Sequence, residues 1–217
     1  FISYEYQSTP KETTPDIFSL FKHLASLNKI EGLGLFLELS SHGLHQERLN
    51  MLDYEKVCIA NIGSDHLDYH QTQEDYERSK LSILDLSQRS IPLVNYDVLE
   101  VMKKHKIKGY EMQTFSDMQE KGDFLFRILP GEIDGYDVEI SELEQSKSIK
   151  FNTNLFPKFN ITNLCTAIVI LKNNLIKLNI NKEIQNIALP KGRNTVFKST
   201  SKHVIIDFAH NDAAMNN

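Results

Sequence analysis

The sequence has 217 residues, of which 41% are hydrophobic and 24% charged, which is ordinary for a globular protein with a sizeable core. With 24 Lys and Arg against 29 Asp and Glu, the net charge of -5 gives no reason to expect binding to nucleic acid or to an anionic membrane. Cys58 and Cys165 lie in apolar surroundings, far apart in sequence. They are predicted to be buried thiols, which favours a cytoplasmic, reducing setting.

The first predicted helix follows the segment Thr13-Thr14-Pro15. Apolar residues then recur at helical spacing, at Ile17, Leu20, Phe21 and Leu24. A Thr before Pro is typical of a helix start in which Pro takes the first helical position, so the pattern predicts that Thr14 caps this helix.

Two consecutive predicted strands end in polar candidate ligands. Residues Leu33–Leu39 form an apolar run, as expected for a parallel strand covered on both faces, and Glu38 interrupts it near its carboxyl end. Val57–Ile62 predicts a second buried strand, which is followed by Asp65 and His66. Because open α/β sheets bind ligands at the carboxyl ends of their strands, we expect these three polar side chains to converge. The alternative is a solvated loop with capping Asp residues.

Lys80 belongs to a helix that follows this second strand. Tyr76, Lys80, Ile83 and Leu84 recur at helical spacing. The side chain is either a solvated charge on that helix or part of the site at the strand ends.

The rest of the chain predicts a three-layer α/β fold with a mostly parallel sheet, a β-rich subregion near residues 110–156 and the start of a second α/β domain. The predicted elements are a strand at Ile91–Asn95, a helix at Asp97–Lys104, strands at Phe124–Leu129 and Tyr136–Ile140, another near Ile149 and Phe151, helices from Leu164 to Leu171 and around Lys182–Ala188, and a strand at Val204–Phe208. A polar hinge at Lys191–Asn194 sets the expected domains at 1–191 and 192–217. Phe1 lacks an initiator Met and Asn217 stops a helix-like start, so we expect a piece of a longer protein.

Several short motifs, in one order along the chain, resemble the Mur ligases. They are Glu38-Leu-Ser-Ser-His-Gly-Leu44 with Arg48, Asn61, Asp65-His-Leu-Asp-Tyr-His70 with Tyr76 and Lys80, Phe159-Asn-Ile-Thr-Asn163, Gly192-Arg193 and Asp207-Phe-Ala-His210. The Ser-Ser-His-Gly-Leu segment favours the branch of UDP-N-acetylmuramoyl-tripeptide synthetases over folylpolyglutamate and cyanophycin synthetases. The resemblance implies the central, ATP-binding domain of such a ligase.

The activity implied by the resemblance is an ATP-driven amide ligation in peptidoglycan synthesis. ATP would phosphorylate a carboxylate of UDP-MurNAc-L-Ala-D-Glu, and the amine of meso-diaminopimelate or L-lysine would attack the acyl phosphate. The small-molecule partners are therefore UDP-MurNAc-dipeptide and a diamino acid, and the implied cofactors are ATP and Mg²⁺. Cations are needed because a carboxylate must approach a triphosphate.

Site residues follow from the same resemblance. Magnesium ligands would be Glu38, His66 and Lys80, the last as a carbamate, which requires a neutral amine and hence a lowered pKa. Contacts to the muramoyl dipeptide would come from Thr13, Thr14, Ser40, Gln46 and Arg48. Nucleotide contacts would come from Asn61, Asn160, Asn163, Arg193 and Asp207. For Thr14 the alternative is a helix cap, and for Arg48 it is a surface ion pair.

The sequence also departs from the family pattern. The Gly-x-x-Gly-Lys-Thr/Ser phosphate loop does not occur in the 217 residues and would be expected upstream of Phe1, and Ser64 stands where the family usually has Arg. We therefore expect no ligase activity from this polypeptide alone. Two alternatives stay open: a degenerate, non-catalytic module that binds nucleotide or sugar nucleotide, and a related Mur-type amide ligase with another substrate.

Overall fold

The structure is a computed structural model that describes residues 13–27, 34–87, 90–118, 120–131, 135–171, 195–198 and 203–207, with Ile184, Ile187 and Leu189. The helices are α1 (Ile17–Leu27), α2 (Ser41–His45), α3 (Leu67–His70), α4 (Gln73–Leu81), α5 (Val98–Lys104) and α6 (Lys158–Leu171). A 3₁₀ helix at Ser82–Leu86 continues α4. The strands are β1 (Cys58–Ile59), β2 (Leu93–Asn95), β3 (Gln113–Ser116), β4 (Phe124–Pro130), β5 (Tyr136–Glu142), β6 (Lys147–Thr153), β7 (Thr195–Lys198) and β8 (His203–Ile206).

Six strands form one sheet in the order β1-β2-β3-β4-β5-β6. The first four pair in parallel, and β4, β5 and β6 pair antiparallel. This mostly parallel sheet with helices confirms the predicted fold class and the β-rich subregion. Strands β7 and β8 form a separate antiparallel pair.

The larger core cluster joins the antiparallel strands to α6. Alternate residues of β4 and β5 are buried, as period-two patterning requires, and Phe126 stacks on Phe115 with ring centroids 5.3 Å apart. Ile161 and Cys165, both fully buried, cover this face from α6. Burial raises the pKa of the Cys165 thiol to about 12, and that of Cys58 likewise, so both predicted thiols are free and protonated.

A smaller core cluster fixes the helices that follow β1 and β2. It consists of Ile59, Leu81, Leu84, Val94, Val98 and Met102. Because Leu81 ends α4 while Val98 and Met102 lie on α5, both helices are anchored to the parallel half of the sheet. This cluster determines where Lys80 is presented.

Two local predictions are wrong in the described residues. Residues 34–39 form no strand, and Leu35 and Phe36 are 47% and 66% exposed, because no described strand pairs with them. The cap of α1 is Asp16, whose carboxylate accepts from the Ser19 amide at 3.0 Å, so the helix begins two residues beyond the predicted start. The side chain of Thr14 is thereby available for other contacts.

Two predicted features near the end of the chain cannot be compared with the structure. The predicted helix around Lys182–Ala188 lies mostly outside the described residues, as does the hinge at Lys191–Asn194. Within the described ranges, no helix is both long and apolar enough to cross a bilayer.

Candidate functional site

A tight set of hydrogen bonds joins the segment before α1 to the start of α2. Thr14 is 1% exposed, and its hydroxyl lies 3.1 Å from the Glu38 carbonyl and 3.0 Å from the Ser40 hydroxyl. The Ser40 amide donates to the Thr14 hydroxyl at 2.8 Å, and the Ser40 hydroxyl caps α2 by accepting from the Gly43 amide at 3.1 Å. The Thr14 hydroxyl therefore fixes the backbone of Glu38 and Ser40, although these residues belong to no strand.

Gly43 permits this close approach. A Cβ at this position would lie 2.7–2.8 Å from three atoms of the Thr14 side chain, well inside normal contact. The glycine of the Ser-Ser-His-Gly-Leu segment thus has a steric reason to be there, and a larger residue would displace Thr14.

Arg48 joins the same network. Its guanidinium donates to the Thr14 carbonyl at 3.0 Å and to the Gln46 side-chain oxygen at 2.7 Å. The Gln46 amide in turn donates to the Tyr69 hydroxyl at 3.0 Å, and His45 Nδ1 lies 3.0 Å from the same hydroxyl. Of the five predicted substrate residues, four are therefore interconnected, while Thr13 is exposed.

Lys80 lies among carboxylates near the end of β1. Burial lowers the pKa of its amine below the usual value, while Glu38 and Asp65 act on it in the opposite direction. Those two carboxylates come from different segments, and both act electrostatically on Lys80. The ammonium also lies 5.8 Å from the Tyr76 ring centre, one helical turn earlier. Lys80 is not a freely solvated helix charge.

His66 lies beside this group at the start of α3. Its backbone adopts a left-handed conformation with φ 54°, and its amide donates to the Asp65 carboxylate at 2.8 Å. The imidazole remains 42% exposed, and it is 3.8 Å from Asp65 and edge-on to His42, with ring centroids 4.7 Å apart. An unusual backbone thus presents a ring nitrogen to solvent next to the carboxylates.

His42, His45 and Tyr69 form an aromatic cluster to which the sequence analysis assigned no role. His42 lies 4.0 Å from the Tyr69 ring, and His45 lies 5.5 Å from it, measured between centroids. In the sequence, His42 and Tyr69 lie inside the two motifs, and His45 directly follows the first. Tyr69 accepts a hydrogen bond from Gln46, and His42 packs against His66, so the cluster supports two of the candidate site residues.

His70 is the buried member of the cluster. Its Nε2 lies 2.9 Å from the Ser41 hydroxyl, whereas its Nδ1 has no partner in the described structure. Burial, together with His42, His45 and His66, lowers its pKa, so the neutral imidazole is favoured. It borders an open cleft of about 530 Å³ that also includes His45, Tyr69 and Arg78.

The predicted nucleotide-facing residues lie on separate segments of the chain. Asn61 is exposed after β1, and Asn163 is exposed on α6. Asn160 donates its side-chain amide to the Phe156 carbonyl at 3.0 Å, which joins the first turn of α6 to the segment before it. Asp207 is exposed beyond β8, and Arg193 lies outside the described residues.

The candidate donor atoms form no complete metal site by themselves. Among the described residues, no three His, Cys, Asp or Glu side chains are arranged to hold an ion. Glu38 and Asp65 instead act electrostatically on Lys80, whose burial favours the neutral amine that carbamate formation requires. A carbamate at Lys80 would add the missing anionic oxygen, so this set fits a hard divalent cation only in the modified state.

Comparisons with known proteins identify the family of this chain. Residues 2–171 match the family described as the Mur ligase middle domain. The UDP-N-acetylmuramoyl-L-alanyl-D-glutamate–2,6-diaminopimelate ligase of Aquifex aeolicus is 31% identical over 206 residues, covering 94% of this chain and 42% of the relative. The corresponding L-lysine ligase of Staphylococcus aureus is 27% identical, covering 98% and 44%.

A solved structure gives the same result for the fold. A UDP-N-acetylmuramoyl-L-alanyl-D-glutamate–2,6-diaminopimelate ligase superposes with a TM-score of 0.71 at 25% identity, covering 94% of this chain and 42% of that chain. The chain thus spans less than half the length of the proteins it matches.

Proposed function

Since the chain belongs to the Mur ligase family through its middle domain, we propose that it supplies the carboxylate-activating site of an ATP-dependent amide ligase. The reaction is the addition of meso-diaminopimelate or L-lysine to UDP-MurNAc-L-Ala-D-Glu in peptidoglycan synthesis. The names of the two relatives support both amines equally, because one acts with 2,6-diaminopimelate and the other with L-lysine.

The observation that carries the proposal is the environment of Lys80. The partly buried Lys80 amine interacts electrostatically with Glu38 and Asp65, and the imidazole of His66 lies 3.8 Å from the Asp65 carboxylate. Glu38 is joined through its carbonyl to Thr14 and so to the Ser40 and Arg48 network. Metal-binding and substrate-binding candidates therefore share one continuous surface, as a carboxylate-activating site requires.

Charge is the physical problem that these residues address. A carboxylate and a triphosphate repel each other, and binding them together requires cations. Mg²⁺ would be held by Glu38, His66 and Lys80 as its carbamate, and when bound it would neutralise phosphate charge and polarise the transferred phosphoryl group. The chain's own contribution is to keep the Lys80 amine desolvated and the carboxylates oriented toward it.

Substrate positioning is assigned to Thr13, Thr14, Ser40, Gln46 and Arg48. Arg48 already donates hydrogen bonds to the Thr14 carbonyl and to the Gln46 side chain. These bonds fix the plane of its guanidinium before a ligand binds. A pre-oriented guanidinium suits bidentate binding of a carboxylate or phosphate, because little side-chain entropy is then lost on binding.

ATP is assigned to a different set of residues. Asn61, Asn160 and Asn163 would contact the nucleotide, with Arg193 and Asp207 from residues 192–217, which we propose begin a second domain after 1–191. The free, protonated thiols of Cys58 and Cys165 support a cytoplasmic location, where the nucleotide substrates are made available.

The decisive experiment separates amine modification from ligation. The chain is equilibrated with ¹³C-bicarbonate, and a carbamate carbon signal is sought by NMR in the unmodified protein and in Lys80→Ala. We expect one protein-bound signal that is absent from the variant. Lys150→Ala, which removes an exposed lysine, is the matched control and should leave the signal unchanged.

Binding and ligation are then measured separately. Calorimetry should show Mg²⁺-dependent affinity for UDP-MurNAc-L-Ala-D-Glu that falls about tenfold or more in Arg48→Lys, since the fork geometry is lost. Ligation is assayed on the reading frame that encodes this chain, with each diamino acid in turn. Substrate affinity without ADP release there would identify a non-catalytic binding module and overturn the ligase proposal.

A further inference from the structure

A buried ionic cluster lies one helical turn from Lys80. Glu77 on α4 is 7% exposed, and its Oε2 accepts from the Lys104 ammonium at 2.8 Å and lies 2.5 Å from His105 Nε2. Its Oε1 accepts from the Gln73 amide at 3.1 Å. Burial raises the pKa of the Glu77 carboxyl, but the hydrogen bonds from Lys104, His105 and Gln73 outweigh it and hold the pKa at about 2.

Helix α4 packs on the smaller core at its carboxyl end, through Leu81. Its buried residues are Tyr76, Glu77, Ser79 and Leu81, so half of the buried face is polar. The hydrophobic effect is non-directional, so apolar burial alone does not specify the rotation of such a helix about its axis. A charge-assisted hydrogen-bond cluster with fixed geometry is directional, and it can therefore specify one position.

The other side of the cluster is firmly fixed. Lys104 is the last residue of α5 and His105 follows it, while Val98 and Met102 of the same helix are buried in the smaller core. The cationic Lys104 also lies at the helix end where the backbone dipole is negative. Glu77 thus adds a directional contact between α4 and α5, two helices that both pack on the smaller core.

We propose that Glu77, held by Lys104 and His105, is a positioning residue that fixes α4 and thereby keeps the Lys80 amine against Glu38 and Asp65. Residues at i and i+3 lie on neighbouring parts of a helix surface, so a small rotation at Glu77 moves Lys80 directly. The proposal rests on the proposed function only in taking Lys80 as the amine that matters.

The test follows the accessibility of Lys80. The folded chain is treated briefly with an amine-acetylating reagent, and the labelling of Lys80 is measured by peptide mass spectrometry relative to the exposed Lys150. In Glu77→Gln we expect about a tenfold rise in relative Lys80 labelling, because loss of charge-assisted hydrogen bonds lowers the cost of local opening. Lys104→Met should raise it less, since His105 and Gln73 remain.

A matched control separates positioning from stability. Ile140 is buried in β5, and Ile140→Val or Ile140→Ala, whichever matches the unfolding free energy of Glu77→Gln, destabilises the chain away from α4. We expect this control to leave relative Lys80 labelling unchanged. Equal labelling in the matched pair, or no rise in both cluster variants, would overturn the proposal.

The positioning role and the proposed ligase chemistry can fail separately. If the ¹³C signal is absent but Glu77→Gln exposes Lys80, the positioning role stands and the proposed ligase chemistry fails. If the ¹³C signal is present in the unmodified chain and in Glu77→Gln, and Lys80 labelling is the same in both, the positioning role fails and the proposed ligase chemistry stands.

Discussion

Two regions of this domain are stabilised in different ways. Around β4, β5, β6 and α6, alternating apolar side chains build one large core. Around Thr14 and residues 34–81, by contrast, short helices and irregular segments are joined by side-chain hydrogen bonds and ionic contacts. Thr14, Arg48 and Glu77 make several of these contacts. The first region supplies rigidity, and the second places chemically useful groups at its edge.

The largest expected effect comes from the apolar region. Phe126→Ala removes a ring that is 3% exposed and stacked on Phe115. We expect it to lower the free energy of unfolding by about 3–5 kcal/mol, through lost transfer energy and an unfilled cavity. Urea denaturation followed by circular dichroism measures this.

The same variant tests whether the regions are independent. The folded fraction of Phe126→Ala should bind UDP-MurNAc-L-Ala-D-Glu with unchanged affinity, because none of the proposed substrate residues touches the stacked pair. A loss of affinity as large as the loss of stability would show that the division is wrong.

The apolar region is also the part that sequence patterns predicted well. Strands at Phe124–Leu129 and Tyr136–Ile140 were expected from alternation, and the structure extends each by one or two residues. Alternation is a local signal, so it survives without knowledge of the partner strand. Residues 34–39 show the converse: their apolar run indicates burial, but a strand also needs a neighbour, which the pattern cannot reveal.

The next effect lies in the polar region and depends on pH. The pKa of Glu77 falls from the usual 4.5 to about 2 on folding. At 1.36 kcal/mol per unit, this contributes on the order of 3 kcal/mol of stability above pH ~4.5, which is lost as the pH falls toward ~2. Unfolding free energies measured between those pH values should therefore decline in the unmodified chain.

Glu77→Gln provides the control for that decline. It should be less stable near neutral pH and show a shallower dependence on pH in the same acidic window, because its side chain no longer binds a proton on unfolding. Parallel pH curves for the two proteins would contradict the assignment of this acid sensitivity to Glu77.

Strand ends and motif residues gave the candidate site. Glu38 and His66 were expected at the ends of predicted strands, and the resemblance gave Lys80 and the roles of all three as metal ligands, which stay predictions. In the structure, Glu38 acts electrostatically on Lys80. Tyr69 could not be assigned a role because its hydrogen bond to Gln46 spans 23 residues. Glu77 was missed for the same reason, since Lys104 lies 27 residues away. Hydrogen bonds between residues this far apart produce no periodic pattern in the sequence.

A smaller change tests how tightly the polar region is packed. Gly43→Ala places a methyl group 2.7–2.8 Å from the Thr14 side chain, which must move. We expect a loss of about 1–3 kcal/mol in unfolding free energy, the usual cost of overpacking. Affinity for the muramoyl dipeptide should fall as well, in contrast with Phe126→Ala. Unchanged affinity in calorimetry would separate Thr14 from substrate binding.

The smallest effect is expected from an ion pair on the surface of the apolar region. Lys150 and Glu139 face each other across β5 and β6 at 3.2 Å, but Lys150 is 70% exposed. Water and salt screen such a pair, and two flexible side chains must be ordered to form it, so Lys150→Met should change stability by about 0–1 kcal/mol. Glu77, by contrast, is buried and contacts two basic side chains, Lys104 and His105, so its loss leaves donors unpaired. A thermal denaturation series in rising salt checks the difference: the Lys150 variant should converge with the unmodified chain, and the Glu77 variant should not. If both respond alike to salt, burial is not what distinguishes the two regions.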